Sequence, residues 1–196
     1  MVANRARWLV GVSLGVLIVM LAPGPAGAQE AASITVTPSA GLSDGQTVTV
    51  EGAGFAPNTA TFGSLTVGLC PADILTDVTQ APFRCGAAVA FPVPVDDSGE
   101  FVAQLQVFRS QPTLAGDDTL SCAVAPADCV VIALEVTGSP PDFELIVATA
   151  PISFRPETRA DCMGGGWRNF TDDRGRPFRN QGGCVRFVAA DREPII

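Results

Sequence analysis

Histidine, lysine and tyrosine are absent from all 196 residues of this chain. Their absence excludes Ser-His-Asp and Cys-His catalysis, histidine-ligated zinc, a Schiff-base lysine and a phosphate-gripping P-loop lysine. Positive charge is scarce as well, with twelve arginines against twenty acidic side chains and a formal net charge of −8. Residues 29–156 hold fourteen acids and only Arg84, Arg109 and Arg155. Such a stretch repels phosphate backbones, so direct nucleic-acid binding by this acidic part is not expected. Residues 157–196 reverse the balance with seven arginines against six acids, and they are the candidate basic surface.

Long apolar runs are confined to the N-terminus. Arg5 and Arg7 precede an apolar run from Trp8 to Ala22, broken by Pro23-Gly24-Pro25 ahead of Ala26-Gly27-Ala28. This order reads as a signal peptide over 1–28, cleaved after Ala28, and implies a secreted, extracellular or envelope-associated protein. An uncleaved anchor is the competing reading, but the run is short for a bilayer span of about 20 residues.

What the chain does have is an even set of cysteines beyond that segment: Cys70, Cys85, Cys122, Cys129, Cys162 and Cys184. In an exported chain six cysteines read as three disulfides, with 15 pairings open. Pairing in sequence order is the simplest, because each pair brackets one hairpin or loop. Zinc held by four thiolates is the alternative, and no CxxC supports it.

Short strands separated by turn signals fill the rest. Residues 33–37 alternate around Ile34 and Val36, Asp44-Gly45 is a hairpin signal, and 47–51 alternates again. Further strands are expected over 61–69, 87–95, 101–108, 129–136 and 143–154, with residues 71–84 as a longer loop. Pro92 and Pro94 mark an edge strand. The nearly continuous apolar run 129–136 marks a central strand buried on both faces. No amphipathic helix stands out. The expectation is an all-β two-sheet sandwich, with a small closed barrel as runner-up.

Acid–base chemistry is left with carboxylates alone. Asp96, Asp97 and Glu100 cluster, as do Asp117 and Asp118, which by residue type permits a glycosidase-like pair or a weak calcium site. Each cluster lies in a turn signal, where aspartate bonds the local backbone, and EF-hand spacing is absent. No catalytic residue and no metal ligand is assigned, and the chain reads as a non-enzyme.

The segment SITVTPSAGLSDGQTVTVEGAGF, the run Val67-Gly68-Leu69-Cys70, the later VDDSGEFVAQLQVFRS and the compact pair Cys122…Cys129 with the closing Ile152-Ser153-Phe154 resemble the neocarzinostatin family over about residues 31–155. The resemblance implies a seven-stranded immunoglobulin-like Greek-key β-sandwich with disulfides Cys70–Cys85 and Cys122–Cys129. It also implies a carrier that holds an enediyne-like, non-covalent apolar chromophore in a cleft, any antibacterial or DNA-damaging activity belonging to the ligand. No other cofactor is implied. By position, Leu69, Phe83, Phe91, Leu114 and Val130 are the candidate ligand-binding residues, with ordinary core or loop packing as the alternative for each. Four departures bear on the ligand: Ala72 stands where the known carriers have an aromatic, Leu114 where they have a phenylalanine near the cleft, and both the first disulfide loop and the second, with Pro126-Ala127-Asp128, are longer than theirs.

From residue 156 the composition changes, and 156–196 reads as a linker with a small module closed by Cys162 and Cys184. The runs Cys162-Met163-Gly164-Gly165-Gly166-Trp167 and Phe178-Arg179-Asn180-Gln181-Gly182-Gly183-Cys184-Val185 resemble a short C-terminal module of exported actinobacterial proteins. Too small to fold without its bridge, it offers Trp167, Phe170 and Phe178 beside arginines. Two readings stand: contact with a cell-wall polymer by stacking and charge, or a self-packing cap without a partner. The first makes the chain an envelope attachment protein anchored through its tail.

Overall fold

The structure, a computed structural model, describes residues 31–57, 65–122, 129–139 and 142–191. The signal-like segment 1–28 lies outside them, as do the first residues of the strand expected over 61–69. Nine strands occur among the described residues: β1 (Ser33–Thr37), β2 (Gln46–Ala53), β3 (Leu65–Pro71), β4 (Val89–Val93), β5 (Phe101–Val107), β6 (Ser110–Pro112), β7 (Thr119–Ser121), β8 (Cys129–Ser139) and β9 (Asp142–Pro151).

Seven of them form two antiparallel sheets, ordered β1-β2-β5 and β4-β3-β8-β9. Non-consecutive neighbours β2/β5 and β3/β8 give the crossed connections of a Greek-key sandwich. The remaining two, β6 and β7, pair as a separate ribbon that strand patterning over 87–136 does not announce. The fold is all-β in antiparallel sheets, as expected.

Period-two alternation builds the core. β5 buries Phe101, Ala103, Leu105 and Val107 while the residues between them face solvent. Val48 and Val50 of β2 and Val36 of β1 join them, against Leu65, Val67 and Leu69 of β3 and Val131 and Ala133 of β8. Each fully buried aliphatic side chain contributes roughly 1.5–3 kcal/mol, so this inter-sheet layer is the main source of stability. β4 is an edge strand, in keeping with Pro92 inside it and Pro94 just beyond, and β8 is central between β3 and β9. One charged residue interrupts the layer: Glu135 of β8 is fully buried, and its Oε2 accepts from the Ala56 amide at 2.9 Å.

Three disulfides close as Cys70–Cys85, Cys122–Cys129 and Cys162–Cys184. No free cysteine remains. The loop expected over 71–84 is wound instead into two 3-10 turns, Ala72–Thr76 and Val78–Gln80, and the single turn α1 (Ala81–Arg84).

The C-terminal segment is the second departure from an all-strand reading. Thr158 and Asp161 form a reciprocal capping box at the start of irregular 3-10 turns over Arg159–Asn169. Asn180 caps the helix α2 (Gln181–Ala190) by accepting from the Gly183 amide at 2.8 Å. This segment is docked on the sandwich. Phe170 is buried in the inter-sheet core, and the Thr171 amide donates to the Phe154 carbonyl at 3.0 Å. Gly41, at φ +64°, meets the tail backbone so closely that a Cβ there would lie 2.6 Å from Asp173 Cα. Only glycine suits both the dihedral and the gap.

Candidate ligand-binding face

Because side chains alternate, β3, β8 and β9 show the outside of the four-stranded sheet a second apolar set. Across β8 and β9 the register places Val136 opposite Leu145, Leu134 opposite Val147, and Ile132 opposite Thr149. The end of this face nearest the first disulfide is covered. Ile74, fully buried, packs with Ala81, Cys70, Cys85, Val130 and Ile132. The coiled segment 72–84 therefore lies as a lid over that end. Val136 and Leu145 stay exposed at the other end, and Phe91 of the edge strand is 59% exposed.

The candidate residues separate in space. Leu69 points into the inter-sheet core and has no exposed surface, since its neighbour Cys70 takes the outward position; it supports β3 from within. Val130 is on the outer face but sealed among Ile74, Ala81 and Ile132. Phe83 and Leu114 are 51% and 45% exposed and share one rim, where the Leu114 amide donates to the Cys85 carbonyl at 3.0 Å and Ala115 to Pro82 at 2.8 Å. Phe91 belongs to β4. Sequence reasoning missed Ile74; its one signal is a large aliphatic residue inside a cysteine-bracketed loop.

The ribbon completes the rim. The Ala87 amide donates to the Pro112 carbonyl at 2.8 Å, and Ala88 donates to Gln111 Oε1 at 3.0 Å. Gln111 is buried against Gly86, where no Cβ fits beside its amide group. The rim is thus fixed on three sides, by the first disulfide, the ribbon and β4, which lowers the ordering cost of binding an apolar molecule.

The acidic clusters are occupied with turn geometry. Asp96 Oδ1 accepts from the Ser98 and Glu100 amides, each at 2.9 Å. With the Ser98 hydroxyl bond first, these contacts lower its pKa from the ordinary value. Asp117 accepts from the Thr113 hydroxyl, and Asp118 from the Thr119 amide. Among the described residues no group of three His, Cys, Asp or Glu side chains is placed to hold a metal.

The tail's polar groups face two ways. Toward the sandwich, Arg109 pairs with Asp161 at 2.9 Å and lies 4.8 Å over the Phe170 ring. Burial pushes the Asp161 carboxyl up, but hydrogen bonds from Arg109, Thr158 and Glu157, with the Arg109 charge, hold it below the ordinary value. Toward solvent, Arg176, Arg179 and Arg186 line a concavity of about 560 Å³ with Phe178 and Asn180. Asp172 is committed to Arg176, whose side-chain bond is the leading cause that lowers its pKa to about 2. Of the four tail aromatics, Phe170 is spent on the core, Phe178 and Phe187 pack edge-on to each other at 5.4 Å, and Trp167 lies under Arg168 at 4.3 Å.

Comparison with known proteins follows the same division. The macromomycin of Streptomyces macromomyceticus is 34% identical over 131 residues, which cover 63% of this chain and 85% of that protein. A solved structure of macromomycin is 31% identical and covers 63% of this chain and 99% of its own, at a TM-score of 0.44. The Neocarzinostatin family model matches residues 34–154, both large sheets but for Ser33 at the start of β1. The chain belongs to the neocarzinostatin family.

Proposed function

We propose that the protein is an exported, non-enzymatic carrier that holds an apolar small molecule of the enediyne-chromophore class on the outer face of its four-stranded sheet. Any antibacterial or DNA-damaging activity belongs to that ligand. The observation that carries the reading is the exposed apolar strip of Val136, Leu145 and Phe91, with Phe83 and Leu114 on the rim at the first-disulfide end of the same frame. Family membership supports the binding role, and three disulfides suit an oxidising, extracellular setting. Val130 contributes from beneath, through Ile74, and Leu69 through the strand it anchors. With Ile74 filling the space beneath segment 72–84, the ligand lies shallow and flat between the rim of Phe83 and Leu114 and the open end. Sequestration there shields it from water and thiols.

Native mass spectrometry of the protein purified from its own producer tests this. A co-purified non-covalent ligand is the expected result, and saturable binding of the neutral apolar dye Nile red should accompany it. Repeated recovery of ligand-free protein that leaves Nile red unbound rules the carrier out.

The arginine-lined concavity favours a second role for the tail, contact with an anionic polymer of the cell envelope. Truncation is a poor test, because Phe170 belongs to the sandwich core. Fractionating cells that carry Arg179→Gln with Arg186→Gln is a better one. Greater release into the medium is expected, and release equal to wild type removes this role.

A further inference from the structure

The ribbon that borders the rim is the weakest part of the frame by its own resources. Its strands are three residues each, and an isolated hairpin of that size is marginal in water. Bonds within the family-matched stretch hold its far end, from Gln111, Pro112 and Leu114 to residues 85–88; what holds its start lies partly outside that stretch.

Arg109 stands immediately before β6. Its two terminal nitrogens donate to both oxygens of Asp161 at 3.2 and 2.9 Å, and Glu157 Oε2 lies 3.7 Å away. The pair is largely shielded, at 15% and 17% side-chain exposure. The same Asp161 accepts from the amides of Glu157 and Thr158 at 2.9 and 2.8 Å, so one carboxylate caps the first turn of the tail and grips the ribbon. The Arg109 backbone ties in the rest: its amide donates to Asp44 at 2.7 Å, and its carbonyl accepts from the Cys122 amide at 2.8 Å. From there the ribbon reaches the rim through Gln111, Pro112 and Leu114.

We propose that the C-terminal tail is a clamp on the β6–β7 ribbon, with the Arg109–Asp161 pair as its pin, and that it slows exchange of the ligand at the rim of Phe83 and Leu114. The functional half of this proposal rests on the carrier reading; the mechanical half does not. Arg109 and Asp161 are positioning residues, since neither faces the apolar strip. A shielded bidentate pair is costly to break one-sidedly, because the partner is left charged and unpaired. Besides the pair, local opening at the start of the ribbon needs only the backbone bonds of Arg109 to Asp44 and Cys122 to be lost.

Amide hydrogen exchange on the full chain tests the clamp, comparing wild type with Asp161→Asn and with the milder Arg109→Lys, which keeps the charge and loses the fork. Peptides over 109–121 are expected to exchange about tenfold faster or more in Asp161→Asn and by an intermediate factor in Arg109→Lys, while β2 and β5 keep their protection. Nile red dissociation should quicken by roughly threefold or more in step with the ribbon. A ribbon that stays protected while residues 157–170 lose protection overturns the clamp. So does an equal rise in every strand, which makes the pair a general stabiliser. If wild type does not bind Nile red, the carrier reading fails and ribbon exchange still decides the mechanical claim. If it binds and is released at an unchanged rate from a loosened ribbon, control of exchange is overturned.

Discussion

The sandwich and the tail are both closed by disulfides, yet they are stable for different reasons. In the sandwich, more than twenty side chains share one buried layer, and the bridges at Cys70–Cys85 and Cys122–Cys129 trim an already large core. In the tail, the buried set of its own is Cys162, Cys184 and Val188, with Trp167, Phe178, Val185 and Phe187 half-covered around them. So small a cluster does not offset the chain entropy of more than thirty ordered residues. The tail closes the gap by a bridge, by caps at Thr158 and Asn180, and by placing Phe170 in its neighbour's core. A segment can thus look like an appendage by composition and still be a tenant of the main fold.

The largest test of that contrast is Phe170→Ala. Removing a ring buried in the inter-sheet layer should cost about 3–5 kcal/mol. The loss should appear in the main denaturant transition; a main transition that does not move makes the tail an independent unit. Next is the double change Cys162→Ser with Cys184→Ser, expected to remove ~3 kcal/mol from the tail in the chain-entropy model. Amide exchange over 157–190 should rise far more than over β2 and β5.

On the sandwich side, Ile74→Ala should cost about 2 kcal/mol, the low end for an aliphatic truncation, because the surface segment over it settles inward. The loss should appear in the main denaturant transition, with Nile red affinity in a fluorescence titration unchanged, because the settled segment leaves no new opening. Thr158→Ala, which deletes one half of the capping box, should cost about 1 kcal/mol, read as faster exchange confined to the first turn of the tail.

Acid gives the mildest contrast. Asp161 and Asp172 both have folded pKa values below their ordinary ones, to about 2 for Asp172. Their contribution is present above the unfolded value near 4 and is lost as pH falls through the folded value. Between about pH 4 and pH 2 the tail amides should lose protection before the strands do. Asp96 is lowered too, but it fastens only its own turn. An exchange series across that window checks the order of loss.

Local periodicity explains which parts of this fold could be anticipated from the residues. The alternation of Phe101, Ala103, Leu105 and Val107, the prolines of an edge strand at 92 and 94, and the apolar run of β8 each carry their signal within a few neighbours. The three-residue strands of the ribbon are too short for a period to show. Residues 72–84 have no strand or helix pattern, yet Ile74 decides how much of the outer face remains open. Glu135 contradicts its own apolar run and is accepted because the Ala56 amide is waiting. Of the proposed ligand residues, Phe83 and Leu114 share a rim and Leu69 faces the opposite side, a distinction set by strand parity near a disulfide. The tail's partners were the least visible: Arg109 and Asp161 are 52 residues apart, and nothing local marks them as a pair.

Gly41 bears on whether the tail is portable. A side chain there would collide with the tail backbone at Asp172 and Asp173. A relative fused to these last forty residues would accept them only if it, too, left that spot bare. The permission to carry the appendage is therefore written at residue 41, more than a hundred residues before the appendage itself. Grafting experiments between family members should succeed or fail on that one position before any contact within the tail is optimised.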